Sequence, residues 1–215
     1  MSDKYEATGP EAEFEPGSRR RVLRNLLGIR SVGKMNQAES DALLAATNQL
    51  IDETTDGQRF TATRIREIHR RWLGKIYSWA GEYRSVNIAK SDFMFAAASE
   101  VPRLMRELEQ GPLRTYTPLR AGAIDAQSAA LAVVHAELIL IHPFREGNGR
   151  CARVLATLVA LQAGLPPLDF NGIEGKEKRR YIGAIHAAMA RDYEPMQEIF
   201  KRVIARSIRI ALAKR

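Results

Sequence analysis

The feature that most constrains this chain is the stretch 124–141, in which Leu131, Val133, Val134, Leu138, Ile139, Leu140 and Ile141 cover nearly every side of a helix. A helix that is apolar all round has to be enclosed, so the segment predicts a central helix with the rest of the chain built around it. His135 and Glu137 interrupt it, and the apolar run from Leu131 to Ile141 falls short of the ~20 residues that a bilayer crossing needs. A soluble domain that does not engage a membrane is therefore expected.

The flanking sequence supplies the enclosing helices. Leu43, Leu44, Ala46, Leu50 and Ile51 recur at helical spacing and predict a helix over 37–53. Thr61 or Thr63 caps the next, which carries Ile65, Ile68, Trp72 and Ile76 and is expected to end near Gly81. Ser99 opens another, with Pro102 in its first turn and a stop at Gly111-Pro112. Helices are also predicted over 149–163, 174–190 and 194–213, the first closed by Gly164 and Pro166-Pro167. One segment breaks the pattern: Val86 and Ile88 alternate with polar residues, Lys90-Ser91-Asp92 reads as a turn, and Phe93 and Phe95 alternate again. That is a short hairpin. Residues 1–18 hold Gly9-Pro10 and Pro16-Gly17 and few apolar groups, so they are expected to form an irregular arm. Residues 19–215 then make a single, mainly α domain with one small hairpin, within the usual size range for one core.

With 33 basic and 25 acidic residues the chain carries +8. The basic residues are spread along several helices without interleaved aromatics, which reads as solvated helix faces and disfavours a nucleic-acid partner. The acidic, polar N-terminus lacks the basic start and apolar centre of a signal peptide, and the single Cys151 can form no internal disulfide; a cytoplasmic location is expected.

The chemistry concentrates in His142-Pro143-Phe144-Arg145-Glu146-Gly147-Asn148-Gly149-Arg150 and extends to Arg153. Gly147, Asn148 and Gly149 would form the turn that opens a helix, where backbone N–H groups and the positive helix end converge into an anion site suited to phosphates. Arg150 and Arg153, three apart, are expected to share a face and clamp the outer phosphates. Glu146 places one carboxylate beside this nest, the economical way to hold Mg²⁺, which takes one or two carboxylates plus phosphates and water. His142, at the end of the central helix, can accept a proton from an attacking hydroxyl near neutral pH. Phe144 is expected to anchor the loop in the core. Together these groups suit nucleophilic attack on a nucleotide's phosphorus.

The run His-Pro-Phe-Arg-Glu-Gly-Asn-Gly-Arg-Cys-Ala-Arg resembles the complete signature of Fic domains, His-x-Phe-x-Asp/Glu-Gly-Asn-Gly-Arg-x-x-Arg. The likeness extends to Trp79-Ala-Gly-Glu-Tyr-Arg-Ser-Val-Asn-Ile and to Val22-Leu-Arg-Asn-Leu-Leu-Gly-Ile, and so covers most of the chain. It implies a Fic fold, a helical bundle with a β-hairpin flap, and Mg²⁺-dependent transfer of AMP from ATP to a Ser, Thr or Tyr hydroxyl of a target protein. His142 would be the general base, Glu146 the metal ligand, Gly147, Asn148 and Gly149 the α/β-phosphate nest, and Arg150 and Arg153 the outer contacts. By the same resemblance Val86, Asn87, Ile88, Ala89 and Lys90 would be the flap that aligns a target segment by main-chain pairing. Tyr181 falls where the family often places an adenine-contacting aromatic, and a helix-surface tyrosine is an equal alternative.

Many Fic proteins carry a restraining helix with Ser/Thr-x-x-x-Glu-Gly/Asn, whose glutamate pairs with the second motif arginine. Here Ser2/Glu6, Thr63/Glu67 and Ser78/Glu82 have the first spacing but are followed by Ala7, Ile68 and Tyr83. The resemblance therefore implies inhibition by a separate small antitoxin-like protein acting near Arg153. Alternatives are a Fic-type transferase of UMP, phosphate or phosphocholine, a non-enzymatic nucleotide-binding adaptor, and a basic nucleic-acid-binding helical protein. Zinc at His135 and His142 is set aside for want of a third ligand. Cys151 is read as a small packing residue, and His69 and His186 as ordinary helix histidines.

Overall fold

The computed structural model describes residues 10–90 and 93–213. The start of the expected arm, with its Ser2/Glu6 pair, and the Ser91-Asp92 part of the expected turn lie outside the described residues. Among the described residues there are eight α segments: α1 (Val32–Glu53), α2 (Ala62–Leu73), α3 (Val101–Leu108), the single turn α4 (Arg114–Tyr116), α5 (Ile124–Ile141), α6 (Asn148–Gln162), α7 (Gly175–Ala188) and α8 (Glu194–Ala213). Two short strands, β1 (Ala89–Lys90) and β2 (Phe93–Met94), pair antiparallel with Ala89 opposite Met94 and Lys90 opposite Phe93. The fold is mainly α with a small hairpin, as the patterns required.

α5 is the axis. It packs most extensively on α8 and then α6, with α3 and α7 on its other sides. Leu131, Ala132, Val134, Ala136 and Leu138 are buried against Leu155, Leu158, Phe200 and Ile204. By length and mean hydropathy of 1.5, Ile124–Ile141 is in fact apolar enough to cross a membrane, which corrects the expectation drawn from Leu131 onward. Its apolar surface is instead the centre of the helical core.

A second cluster lies on the α1 side: Met35, Ala46, Trp72, Leu73, Ile76, Tyr77, Trp79 and Ala80. It explains why α2 stops at Leu73 rather than near Gly81. Gly74 closes the helix, and tight turns through Ile76, Tyr77 and Ala80 let all of these side chains face one cluster, which a continued helix would splay around its circumference. Thr61 is the cap, its side chain accepting from Arg64 N at 3.1 Å. The outer face of α2 is basic but neutralised, Arg70 by Glu82 at 2.8 Å and Arg71 by Glu53 and Glu67.

Two other boundaries differ from expectation. The helix begun at α3 does not stop at Gly111-Pro112 but widens into a π turn over Glu109–Leu113 and runs on into α4. A wide turn separates the proline ring from the carbonyl it would otherwise strike and tolerates its missing N–H. In its described part, from Pro10 on, the N-terminal arm forms no long helix and is docked. Phe14 bridges Leu23, and Glu15 N donates to Val22 O at 2.9 Å.

Candidate active site

α5 ends on His142 because the chain turns left-handed there, with φ 51° and ψ 59°, while His142 N still donates to Leu138 O at 3.1 Å. A non-glycine residue in that conformation has to be held in place. Arg84 holds it: Nε donates to His142 O at 2.6 Å, and the same buried guanidinium reaches the carbonyls of Ile141, Val86 and Ala96. Arg84 N also donates to Pro143 O at 2.9 Å. One side chain thus ties the root of the hairpin to the end of α5. Burial pulls the Arg84 pKa below its usual value, with Glu11 acting against that.

The His142 ring is oriented by its own helix. Nδ1 lies 3.0 Å from Ile139 O, and since a carbonyl only accepts, Nδ1 carries a proton and the lone pair of the neutral ring is on Nε2. Phe95 of the hairpin stacks on the imidazole at 3.7 Å between centroids.

Beyond His142 the loop is fastened from inside. Phe144 is fully buried and stacks on His69 at 3.9 Å, the anchor that its apolar character predicted. Asn148 Oδ1 accepts from Phe144 N at 2.8 Å and its Nδ2 donates to Phe144 O at 2.7 Å. The Asn148 side chain is consequently a brace within the loop, which leaves its backbone N–H as the group available to the nest. His69, read as an ordinary helix histidine, is a second brace. Gly81 N donates to its Nδ1 at 2.8 Å, and its Nε2 donates to Glu146 O at 3.0 Å. Burial lowers its pKa to about 4, which keeps the ring neutral and suited to one donor and one acceptor.

Gly147 adopts φ 81° and caps α6. A Cβ there would sit 2.6 Å from the Trp72 ring, so both conformation and space demand glycine. At Gly149 a Cβ would meet no protein atom within 4 Å, so packing is not what excludes a side chain. The first-turn N–H groups of α6, from Asn148, Gly149 and Arg150, have no intrahelical partners and add to the helix's positive end. Glu146 stands beside them with its side chain about half exposed. Its Oε1 accepts from Gly147 N at 2.8 Å and lies 3.3 Å from Arg150 NH2.

The two arginines rest on different aromatic surfaces. They are separated by about 60° around the helix, and aromatic surfaces on either side draw them apart. Arg150 lies over Trp72 at 4.5 Å and pairs through NH1 with Glu39 at 2.7 Å. Arg153 lies between Phe170 and Tyr181, 5.6 and 5.8 Å from their ring centres, and its Nε is buried without a hydrogen-bond partner. Among the described residues no carboxylate pairs with Arg153.

Tyr181 is not a surface tyrosine. Its hydroxyl lies 2.7 Å from His135 Nε2, and burial pushes its pKa up to about 12. His135 Nδ1 faces Ala152 O at 3.3 Å, which leaves Nε2 to accept; burial lowers this histidine too, to about 4. Cys151 is fully buried, its thiol pushed up to about 12 by burial, in keeping with packing and not with nucleophilic work.

In the hairpin Val86 and Ile88 are buried and Asn87 is exposed, its Oδ1 accepting from Ala98 N at 2.8 Å. Ala89 and Lys90 form β1. Phe93 stacks on His186 of α7 at 4.9 Å and packs edge-on against Phe95 at 5.0 Å. The arm adds a strap: Glu11 Oε1 accepts from the backbone N and hydroxyl of Ser85, and Glu11 O accepts from Arg145 Nε at 2.9 Å. Sequence reasoning missed Glu11, Glu39, His69 and Arg84 as parts of the site, because each joins it through long-range contacts. Arg84 alone lay inside a stretch already singled out.

The site's likeness to known proteins agrees with this geometry. The Fic/DOC family matches residues 59–160. Over 211 residues the chain is 31% identical to the Escherichia coli protein named as a probable protein adenylyltransferase Fic, covering 95% of this chain and 97% of that one. It is 30% identical over 178 residues to the protein adenylyltransferase VbhT of Bartonella schoenbuchensis, covering 82% of this chain but only 36% of VbhT, so it spans about a third of that relative's length. Among solved structures, the N-terminal Fic domain of a VirB-translocated Bep effector from Bartonella quintana, with bound ADP, superposes with a TM-score of 0.70 at 27% identity, over 88% of this chain and 92% of that one.

Proposed function

The chain belongs to the Fic/DOC family, and from that membership and the geometry of its site we propose that it is a protein adenylyltransferase, moving AMP from ATP to a Ser, Thr or Tyr hydroxyl of a target protein. The observation that carries the reading is His142: Nδ1 faces Ile139 O, so in the neutral ring Nε2 is the nitrogen that can take a proton, on the loop that opens the N–H-rich start of α6. Binding alone needs no base.

In this reading the phosphates lie against the N–H groups of Asn148, Gly149 and Arg150, where Gly149 leaves the backbone open to close approach. The target hydroxyl gives its proton to His142 Nε2 as its oxygen bonds to the α-phosphorus. The bond from that phosphorus to the bridging oxygen breaks, and pyrophosphate leaves. Arg150 and Arg153 stand on two sides of the nest and favour the charge of the leaving phosphates. The residues fit a divalent cation: Glu146 is half exposed beside the nest, with Oε2 making no protein hydrogen bond among the described residues. Mg²⁺ held there with the substrate phosphates would neutralise their charge. Relatives named as adenylyltransferases and a fold neighbour with bound ADP support the nucleotide assignment.

Incubation with candidate target extracts and ATP labelled at the α- or the γ-phosphate tests the proposal. Transfer of the α label alone is expected, and His142→Ala should lower its rate on the order of 10²–10⁴-fold while nucleotide binding is retained. Transfer of the γ label alone would make the protein a kinase.

We also propose that the brake on this activity is a glutamate from a separate, antitoxin-like chain in the same cytoplasm. The Arg153 guanidinium, with a buried unpartnered Nε and no carboxylate among the described residues, supports it. Isolation of the native protein alone, fully active and harmless to its host, would sink the idea.

A further inference from the structure

Glu39 lies on α1, more than a hundred residues from the motif, yet its carboxylate and its carbonyl both serve the site. Oε2 pairs with Arg150 NH1 at 2.7 Å, Oε1 accepts the Tyr77 hydroxyl at 2.7 Å, and the backbone carbonyl accepts the Trp72 indole N–H at 2.8 Å. Trp72 is the ring that Arg150 lies over and that bars a side chain at Gly147. One turn of α1 therefore frames the Arg150 guanidinium from behind. On the opposite side stands Glu146, with Oε1 at 3.3 Å from NH2. Two carboxylates contend for one cation, and the nearer is the buried one: the Glu39 side chain is 6% exposed and that of Glu146 47%.

We infer that Glu39 is a positioning residue whose charge holds Arg150 back from closing on Glu146, so that Glu146 stays available to a divalent cation. The inference rests on reading Glu146 as the residue that holds the metal. A buried carboxylate left unpaired loses far more than an exposed one, which has water to turn to, so Glu39 keeps its guanidinium and Glu146 is left partly free. With Glu39 neutralised, Glu146 becomes Arg150's remaining carboxylate. A two-pronged pair forms there, and a cation has to displace it. A triphosphate without metal would meet a pocket with one negative charge fewer. The two ligand forms should thus respond in opposite senses, which damage to the fold would not produce.

Calorimetric titration of ATP with Mg²⁺, and of ATP with chelator, gives two Kd values whose ratio measures what the metal adds. In Glu39→Gln this ratio is expected to fall about tenfold, the size usual for residues that orient a metal ligand, with metal-free affinity held or raised. Glu146→Gln should abolish the metal's advantage. A ratio unchanged in Glu39→Gln but lost in Glu146→Gln overturns the role of Glu39 and leaves the metal assignment standing; a ratio unchanged in both overturns both. Parallel weakening of the two forms marks a mere brace and also counts against the inference. Should Glu39→Gln fail to fold, Glu39→Asp keeps the charge but withdraws it from Arg150, and the ratio is expected to fall about two- to threefold; no change there is equally fatal. In an Arg150→Gln background, neutralising Glu39 should move the ratio no further.

Discussion

The loop that carries the chemistry and the hairpin that overhangs it are held by different means. Around the loop, buried side chains grip backbone atoms directly: Asn148 holds both polar groups of Phe144, His69 spans Gly81 N and Glu146 O, and Arg84 takes the carbonyls of Ile141 and His142. The hairpin has two residue pairs and leans on rings, Phe93 on His186 and Phe95 on His142. Hydrogen bonds from buried groups are directional and costly to leave unmade, whereas stacked rings slide over a range of offsets. The phosphate side of the site is accordingly built before a substrate arrives, as electrostatic catalysis favours. If the hairpin docks a target as proposed, it keeps freedom to adjust to a segment that strand pairing would recognise by backbone shape.

The sharpest way to break the rigid half is Gly147→Ala. The left-handed backbone costs an alanine about 1–2 kcal/mol, and its Cβ would press on Trp72, which is 2% exposed and cannot move away. Overpacking of that kind adds about 1–3 kcal/mol. Urea unfolding should show a loss of roughly 2–5 kcal/mol together with loss of nucleotide binding; a variant within about 1 kcal/mol of the parent would mean that the loop is not held as described.

A second effect is read against pH. His69 and His135 are both held neutral at about 4 by burial, whereas in the unfolded chain each returns to about 6.5. Between those values the unfolded state binds more protons, so their contribution to stability is complete above pH 6.5 and is lost as pH falls toward 4. His69→Gln removes one of the two groups. Between pH 6 and 4.5 its stability should fall less steeply than the parent's, by about 1 kcal/mol per pH unit. Parallel curves would show that His69 is not kept neutral by the fold.

Much of this architecture was legible beforehand, and the gaps have a common cause. The central helix announced itself because Leu131 to Ile141 leave it no polar face, and residues 194–213 were bounded as observed by their apolar spacing. The motif was legible because glycine, carboxylate, histidine and arginine types sat at adjacent positions. What the sequence hid are contacts across the fold. Nothing local distinguishes Glu39 from its neighbours on α1, and it matters because Tyr77, Trp72 and Arg150 converge on it. The spacing of Arg150 and Arg153 suggested a shared task, and it did not show that Trp72 supports one guanidinium while Phe170 and Tyr181 support the other. Asn148 was assigned to the phosphate nest through its backbone N–H, and its side-chain amide turns out to brace Phe144, a contact the motif did not announce. Pattern names the residues; tertiary partners decide which of their atoms remain for a ligand.

The tolerant half of the site gives the smallest predicted effect and the most discriminating one. His186 is exposed on α7 and stacks nearly parallel on Phe93, at 4.9 Å and 7°, at the far end of a run of rings that continues through Phe95 to His142. Removing it withdraws one support from the hairpin without touching the loop, Glu146 or either motif arginine. An aromatic pair of this kind contributes about 0.5–1.5 kcal/mol, so His186→Ala should raise the KM for a protein target by roughly two- to tenfold. The Kd for ATP should stay where it was, because no group that faces the nucleotide is held by His186. A variant that loses ATP affinity in step with target affinity would show that the two halves are mechanically one. A variant that changes neither would show that β1 and β2 are fixed by their own pairing and by the burial of Val86 and Ile88, with the stack contributing nothing to how a target is held.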